Sequence, residues 1–233
     1  AIQKEDEERK IFLASVSHEL RTPISYIKGY SEMIQAGNLT GDKKEEAISL
    51  IVREANRMER LTNELLMLTR MTNDKEEIEF YPVVLAETIR EACQLLNQKA
   101  KKKQIRLELE IDDQFIVLAH EEKLKQILIN VIENAINYSG NGKNIIIKTK
   151  LNKSFVDILI EDKGIGIPKE DLPKITERFY RVNKARTRFD GGSGLGLSIV
   201  NELVKQLNGK LQIDSTLGIG TTVTISIPVL EEM

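Results

Sequence analysis

Along residues 3–37 apolar side chains return at Leu13, Leu20, Ile27 and Ile34, one position in seven. Along 43–72 they return at Ile51, Met58 and Leu65, with Leu61 and Leu68 on an alternate seam. A seven-residue return is the stripe of helices that pack side by side in a coiled coil or bundle. Between them, "AGNLTGDKK" supplies Gly37, Asn38 and Gly41 as stop signals, with Thr40 or Asp42 as N-cap of the following helix. The pattern predicts an antiparallel helical hairpin. Two helices leave one side of each stripe wet, and the usual remedy is a second copy. A homodimeric four-helix bundle through residues 1–76 is therefore expected; the alternative is a hairpin packed on the second domain of its own chain.

From Glu77 the period changes. Helical segments (85–101, 121–138, 194–208) alternate with "IRLELEI", "FIVLA", "NIIIKTKL", "FVDILIED", "GKLQIDS" and "TTVTISIPV", which alternate in polarity or are continuously apolar. The run at 144–151 joins that at 155–162 through a short "NKS" turn, so much of the sheet is expected to be antiparallel or mixed. Strands in one layer and helices in the other make residues 77–233 an α+β two-layer sandwich.

Composition narrows the function. Charged residues are 30%, net charge is −2, aromatics are 5% and Trp is absent. Such a chain lacks both the basic excess and the stacking platforms of a nucleic-acid reader. The single Cys93 lies in a helical apolar pattern, forms no internal disulfide, and fits a reducing compartment. No stretch reaches the roughly 18 apolar residues of a membrane span. The opening run "QKEDEERK" is that of a helix already under way. A cytoplasmic fragment is expected, with any membrane anchor of the full-length protein supplied by segments upstream.

Three glycine clusters punctuate the second half: "EDKGIGIP", "DGGSGLGLS" and "TLGIGTTV". The middle one runs straight into a helix, where unpaired N–H groups and the positive dipole end face an anion. It is no familiar phosphate loop: GxxxxGK[ST] occurs nowhere, and GxGxxG fails because Leu197 stands at the third glycine position. In "QILINVIENAINYS", Asn130 and Asn134 are four apart and share one helix face, beside a core face of Ile127, Leu128, Val131, Ile132, Ala135 and Ile136. Two such amides want partners; a divalent cation with its waters is one, and solvent is the other.

Taken in order, Asn130/Asn134, Asp162-Lys-Gly164-Ile-Gly166, Gly192-Ser-Gly194-Leu195-Gly196-Leu197 and Gly218-Ile-Gly220-Thr221 resemble the boxes of the Bergerat-type ATP-binding fold. That fold is common to histidine kinases, DNA gyrase, mismatch-repair ATPases and ATP-driven chaperones. The resemblance implies that Asp162 accepts from the adenine amino group and that Asn134 ligates Mg²⁺ on the phosphates. It also implies a lid over residues 181–193, with Lys184, Arg186 and Arg188 attracting the triphosphate. Phe179, Tyr180 and Arg181 match the family where Thr176 does not. Asn137 replaces a basic residue common in the family, so phosphate binding is expected either to be weaker or to lean on the lid cations. Tyr138 either flanks the nucleotide or is a half-buried core residue.

Gyrase-like and chaperone-like relatives have no counterpart of "FLASVSHELRTPI", which resembles the phospho-acceptor box of sensor histidine kinases. The residues make chemical sense in their own right. A neutral imidazole is a nucleophile at Nε2 when Nδ1 keeps its proton, and Glu19, next to His18, can accept a hydrogen bond from Nδ1–H. Pro23 leaves the Glu19 carbonyl without its intrahelical donor, and a bend beside the acceptor is expected. Thr22 lies on the same face as His18, where the resemblance implies a hydroxyl that orients water to dephosphorylate a partner. His120, the other histidine, opens the Asn-rich helix and is assigned no catalysis. The resemblance covers essentially the whole chain. It implies ATP-dependent phosphorylation of His18 and transfer to an aspartate in a response regulator's receiver domain, with dephosphorylation of that regulator. A regulator phosphatase with little kinase output and a nucleotide-gated dimeric scaffold remain open as rivals.

Overall fold

The computed structural model describes residues 2–73, 78–182 and 192–230, and only the backbone of residues 2–6, 8, 9, 72 and 73. The chain divides into two compact units, Ala1–Asp74 and Lys75–Met233.

The first unit is a hairpin of α1 (Ile2–Gln35) and α2 (Asp42–Asn73). The α1 helix ends because Gly37 takes the left-handed region at φ 73°. Its N–H then bonds the Ile34 carbonyl at 3.1 Å, and Asn38 N–H bonds that of Met33 at 3.0 Å, the paired bonds of a glycine-terminated helix. The first carbonyl that α2 uses is Gly41's, bonded by the Glu45 N–H at 3.3 Å, so neither Thr40 nor Asp42 stands at the cap. Asp42 and Glu45 lie instead in the first turn, where the positive dipole end favours them. Pro23 is buried, and α1 continues through it.

The Leu61 and Leu68 seam closes inside the hairpin at 3% and 2% exposure. The other stripe stays wet: Leu13 is 55% exposed, and Leu20, Ile27 and Ile34 are half-buried.

In the second unit five strands form one sheet: β2 (Arg106–Glu110), β4 (Asn144–Asn152), β5 (Phe155–Asp162), β6 (Lys210–Thr216) and β7 (Gly220–Pro228), in the order β2-β4-β5-β7-β6. Among the described residues the β2–β4 pair of this sheet is parallel and its other pairs are antiparallel. Asn152 pairs with Phe155 across a two-residue turn in which Lys153 has φ 58°. One sheet face is buried through Ile145, Ile147, Val156, Ile158, Ile160, Val223, Ile225 and Ile227, while alternate residues such as Lys148, Asp157 and Thr224 stay half-exposed. The helices α3 (Leu85–Lys102), α4 (Glu121–Tyr138) and α5 (Gly196–Gln206) cover the buried face, α3 against β2, α4 against β5 and α5 against β6. The expected two layers are present. Cys93 is a buried residue of α3, and burial pushes its thiol up to about 11, leaving it inert.

The pattern did not predict β1 (Tyr81–Val84), which pairs antiparallel with β3 (Ile116–Ala119). Pro82 and a length of four residues hide it, since a proline inside a short run argues against a strand. Helix α5 begins at Gly196 rather than Gly194, whose φ of 78° is not helical.

Because α4 is the middle of the helix layer, Ile132→Ala is expected to cost about 2–5 kcal/mol, as for other fully buried large-to-small changes. Leu151→Ala, at a half-exposed strand end, should stay within about 0.5 kcal/mol. Urea unfolding of the two variants checks the contrast.

Candidate functional site

The sandwich gathers its glycine clusters around α4. On that helix Ile127, Leu128, Val131, Ile132, Ala135 and Ile136 are all buried, while Asn130 and Asn134 are half-exposed. Both amides face the first residue of α5. A Cβ added to Gly196 would stand 3.7 Å from Asn130 Oδ1 and 3.9 Å from Asn134 Nδ2. Asn130 is steadied by donating from Nδ2 to the Gln126 carbonyl at 3.1 Å.

Tyr138, the last residue of α4, links this pair to the other clusters. Its carbonyl accepts from Ile165 N–H at 3.3 Å, and its hydroxyl would lie 3.8 Å from a Cβ on Gly192. The Gly164 backbone comes so close that a Cβ there would sit 2.5 Å from the Tyr138 carbonyl oxygen and 2.7 Å from Asp162 Oδ1. Only glycine fits.

Asp162 ends β5 opposite Thr221 of β7. Its Oδ1 accepts from Gly164 N–H at 2.8 Å. Burial raises its pKa above the ordinary carboxylate value, and the backbone N–H groups of Gly164 and Thr221 pull it back in part. Gly166 takes φ 67°, and a Cβ there would stand 2.1 Å from the Thr216 carbonyl. Its loop is fastened to the β6–β7 turn by a bond from Gly218 N–H to the Ile165 carbonyl at 2.8 Å.

Gly194, Leu195, Gly196 and Leu197 carry the chain into α5. Leu195 is fully buried, and its N–H is bonded by Ser193 Oγ at 3.0 Å. Phe179 N–H reaches the Gly194 carbonyl at 2.9 Å, so the segment ending in Arg181 is tied to the loop before α5. The Tyr180 hydroxyl donates to Asp171 Oδ1 at 2.5 Å, which pushes its pKa up to about 12. Arg181 follows, half-buried. Of the expected lid, residues 183–191, with Lys184, Arg186 and Arg188, lie outside the described residues.

In the hairpin, His18 projects outward with its side chain 68% exposed, and Glu19 Oε1 stands 3.6 Å from its Nδ1. The Thr22 hydroxyl donates to the His18 carbonyl at 3.3 Å. Glu19 Oε2 accepts from Arg57 Nη2 at 3.0 Å, a partner from α2 that the sequence reading missed. The signal was there: Ala47, Glu54, Leu61 and Leu68 are seven apart and all buried, so a charge sits in a core stripe. Two serines were missed as well. Ser215 Oγ accepts from Ile167 N–H at 2.8 Å and pairs with Thr221 Oγ1 at 2.8 Å. Ser139, which forms an isolated β-bridge with Gly164, buries its Oγ with no hydrogen-bond partner among the described residues. His120 caps α4 through its backbone alone.

Comparison with known proteins points one way. Residues 8–74 match the His Kinase A (phospho-acceptor) domain family. Residues 119–231 match the family of histidine kinase-, DNA gyrase B-, and HSP90-like ATPases. The sensor histidine kinase YclK of Bacillus subtilis (strain 168) is 38% identical over 228 residues, 97% of this chain and 48% of that protein. The sensor histidine kinase WalK of the same strain is 36% identical over 236 residues, 99% of this chain and 38% of that protein. The chain thus spans half or less of these relatives' length. Among solved structures, histidine kinase ThkA in complex with response regulator protein TrrA superposes with a TM-score of 0.77 at 27% identity, covering 97% of this chain and 65% of that one.

The raised pKa of Asp162 has a consequence for stability. Between the unfolded and folded values the folded protein holds the proton more tightly, so stability falls as pH rises through that window. Above it the buried carboxylate is a standing cost. Asp162→Asn keeps an acceptor for the Gly164 N–H and is expected to melt at a higher temperature than wild type near neutral pH. The gain should vanish below the ordinary carboxylate range. Thermal melts at the two conditions check this, and a variant less stable at neutral pH would contradict it.

Proposed function

The chain belongs to the two-component sensor histidine kinases, and from that membership we propose that it moves the γ-phosphoryl group of ATP to His18. From there the group passes to an aspartate on the receiver domain of a response regulator. One observation carries the reading: the outward ring of His18 with a carboxylate oxygen 3.6 Å from Nδ1.

Nε2 attacks the γ-phosphorus in line; the N–P bond forms as the bond to the ADP oxygen breaks. Glu19, whose Oε1 at 3.6 Å from Nδ1 is just beyond hydrogen-bond range, closes on the Nδ1 proton as the nucleotide is engaged, keeping Nε2 bare and offsetting the positive charge that develops on the ring. In the sandwich, Asp162 accepts from the adenine amino group, and Gly164 and Gly166 let the base approach the backbone. Thr221 borders the same floor, and Tyr138 flanks the nucleotide. The loop of Gly192, Gly194, Leu195, Gly196 and Leu197 receives the phosphates at the N-terminus of α5, with Arg181 at the base of the lid.

Asn134 would offer an amide oxygen to Mg²⁺, with Asn130 beside it, and the ion would supply charge neutralisation at the phosphates. Among the described residues no group of three or more His, Cys, Asp or Glu is placed to hold a metal. A single amide oxygen suits an ion that keeps its waters and takes phosphate oxygens.

The exposed stripe around Leu13 supports a second copy of the chain as the partner that completes a four-helix bundle. For the regulator, the support is that ThkA is itself found with a response regulator protein. Thr22 is assigned to orienting the water that removes phosphate from that regulator. No helix among the described residues is long and apolar enough to cross a membrane, and any anchoring of the full-length sensor is assigned to segments outside this sequence.

Incubation with γ-labelled ATP tests the reading. Wild type should take up acid-labile label and His18→Gln none. Asn134→Ala should lose labelling while sedimenting as the same dimer. Label retained by Asn134→Ala removes that residue from its role, and label retained by His18→Gln removes His18.

A further inference from the structure

Glu19 follows His18 directly, and neighbouring residues on a helix project about 100° apart. They do not face each other. A carboxylate in that position needs an outside hold to turn one oxygen back toward the imidazole, and α2 supplies one. Arg57 Nη2 donates to Glu19 Oε2 at 3.0 Å, which leaves Oε1 on the His18 side. Arg57 is in turn braced by Glu54, whose Oε2 lies 3.7 Å from Nη1, within ion-pair range but too long for a hydrogen bond.

Exposure rises along this chain of charges. The side chains of Arg57 and Glu54 are 9% and 10% exposed, Glu19 is 22% and His18 is 68%. Burying a guanidinium and a carboxylate in a helical seam costs several kcal/mol per ion before pairing, and apolar residues there are often as stable or more so. Stability alone does not call for this pair. A guanidinium differs from an ammonium in presenting a rigid planar fork, so it fixes the orientation of the carboxylate it grips as well as its position.

We propose that Arg57 is a positioning residue for phosphorylation of His18, gripping Glu19 Oε2 across the hairpin so that Oε1 is presented to Nδ1, with Glu54 holding the guanidinium. The inference rests on His18 being the phospho-acceptor. Arg57 acts only through Glu19: with the grip in place the ring keeps its proton on Nδ1 and Nε2 stays bare, and without it Glu19 swings to solvent.

The test uses the full chain and γ-labelled ATP over a range of ATP concentrations. Arg57→Met is expected to lower kcat about ten- to hundredfold, the scale of a lost orienting partner, with KM for ATP unchanged. Arg57→Lys should recover part of the rate, because an ammonium restores the charge without the plane. The double variant Glu19→Gln/Arg57→Met should be no slower than Glu19→Gln alone, since two residues acting through one contact do not add. Imidazole nitrogen NMR of Arg57→Met should show the His18 proton shifting from Nδ1 toward Nε2.

Arg57→Met leaves Glu54 buried and unpaired. Glu54→Gln/Arg57→Met, which removes that charge, is therefore followed in parallel for helix content and dimerisation. A folded dimer that labels at the wild-type rate, or losses that multiply in the Glu19 double variant, would overturn the role of Arg57. Acid-labile label on His18→Gln would overturn the acceptor reading beneath it, and the two failures are thereby told apart.

Discussion

Helix α4 must bury Ile127, Leu128, Val131, Ile132, Ala135 and Ile136 in the core of the sandwich and, along the same turns, keep Asn130 and Asn134 out of it. The two demands are compatible because the amides are four residues apart and fall on one face, away from the apolar arc. Opposite that face α5 starts at Gly196, which puts no Cβ toward the two amides. Three glycines keep neighbouring backbone close: Gly164 against the Tyr138 carbonyl, Gly166 against Thr216, Gly194 against Phe179. A side chain at any of these would have to displace backbone, so the cleft's shape is carried by absent atoms as much as by present ones.

The hairpin solves a different problem with a similar division. Its inner seam is closed by Leu61 and Leu68, its outer stripe stays exposed, and His18 stands out in solvent, as the phosphoryl transfer proposed for it requires. An exposed imidazole is free to take either tautomer. Holding one of them requires a carboxylate with a fixed orientation, and fixed orientations are easiest to maintain in a protein interior. The run from Glu54 through Arg57 and Glu19 to His18 connects the interior to the surface, with desolvation of two ions as its cost.

Much of this was legible in the sequence, because periodicity reports burial directly. Seven-residue returns marked both hairpin helices, and alternation in "FVDILIED" and "TTVTISIPV" marked strands that do bury every second residue. The sharing of a face by Asn130 and Asn134 followed from spacing alone. Other features were hidden for physical reasons. Strand β1 is four residues long and contains Pro82. The start of α2 is set by Gly41, a backbone choice that outranked Thr40 and Asp42 as side-chain caps. Arg57 joins Glu19 from 38 residues away, and no local pattern encodes that meeting. Glu54 in the stripe of Ala47, Leu61 and Leu68 was the one available hint, since a charge at a buried heptad position needs a partner. Ser139 and Ser215 are small polar residues whose importance appears only when the loops around them are folded.

The claim on which the account turns is that a phosphoryl group leaves ATP for the bare ring nitrogen of His18 while Glu19 keeps the other nitrogen protonated. Phosphorus NMR of the wild-type chain after incubation with ATP and magnesium, with the modified peptide then sequenced, reads both the residue and the nitrogen. One phosphohistidine is expected, at His18, with phosphorus on Nε2. Phosphorus on Nδ1, or on any other side chain, would contradict it.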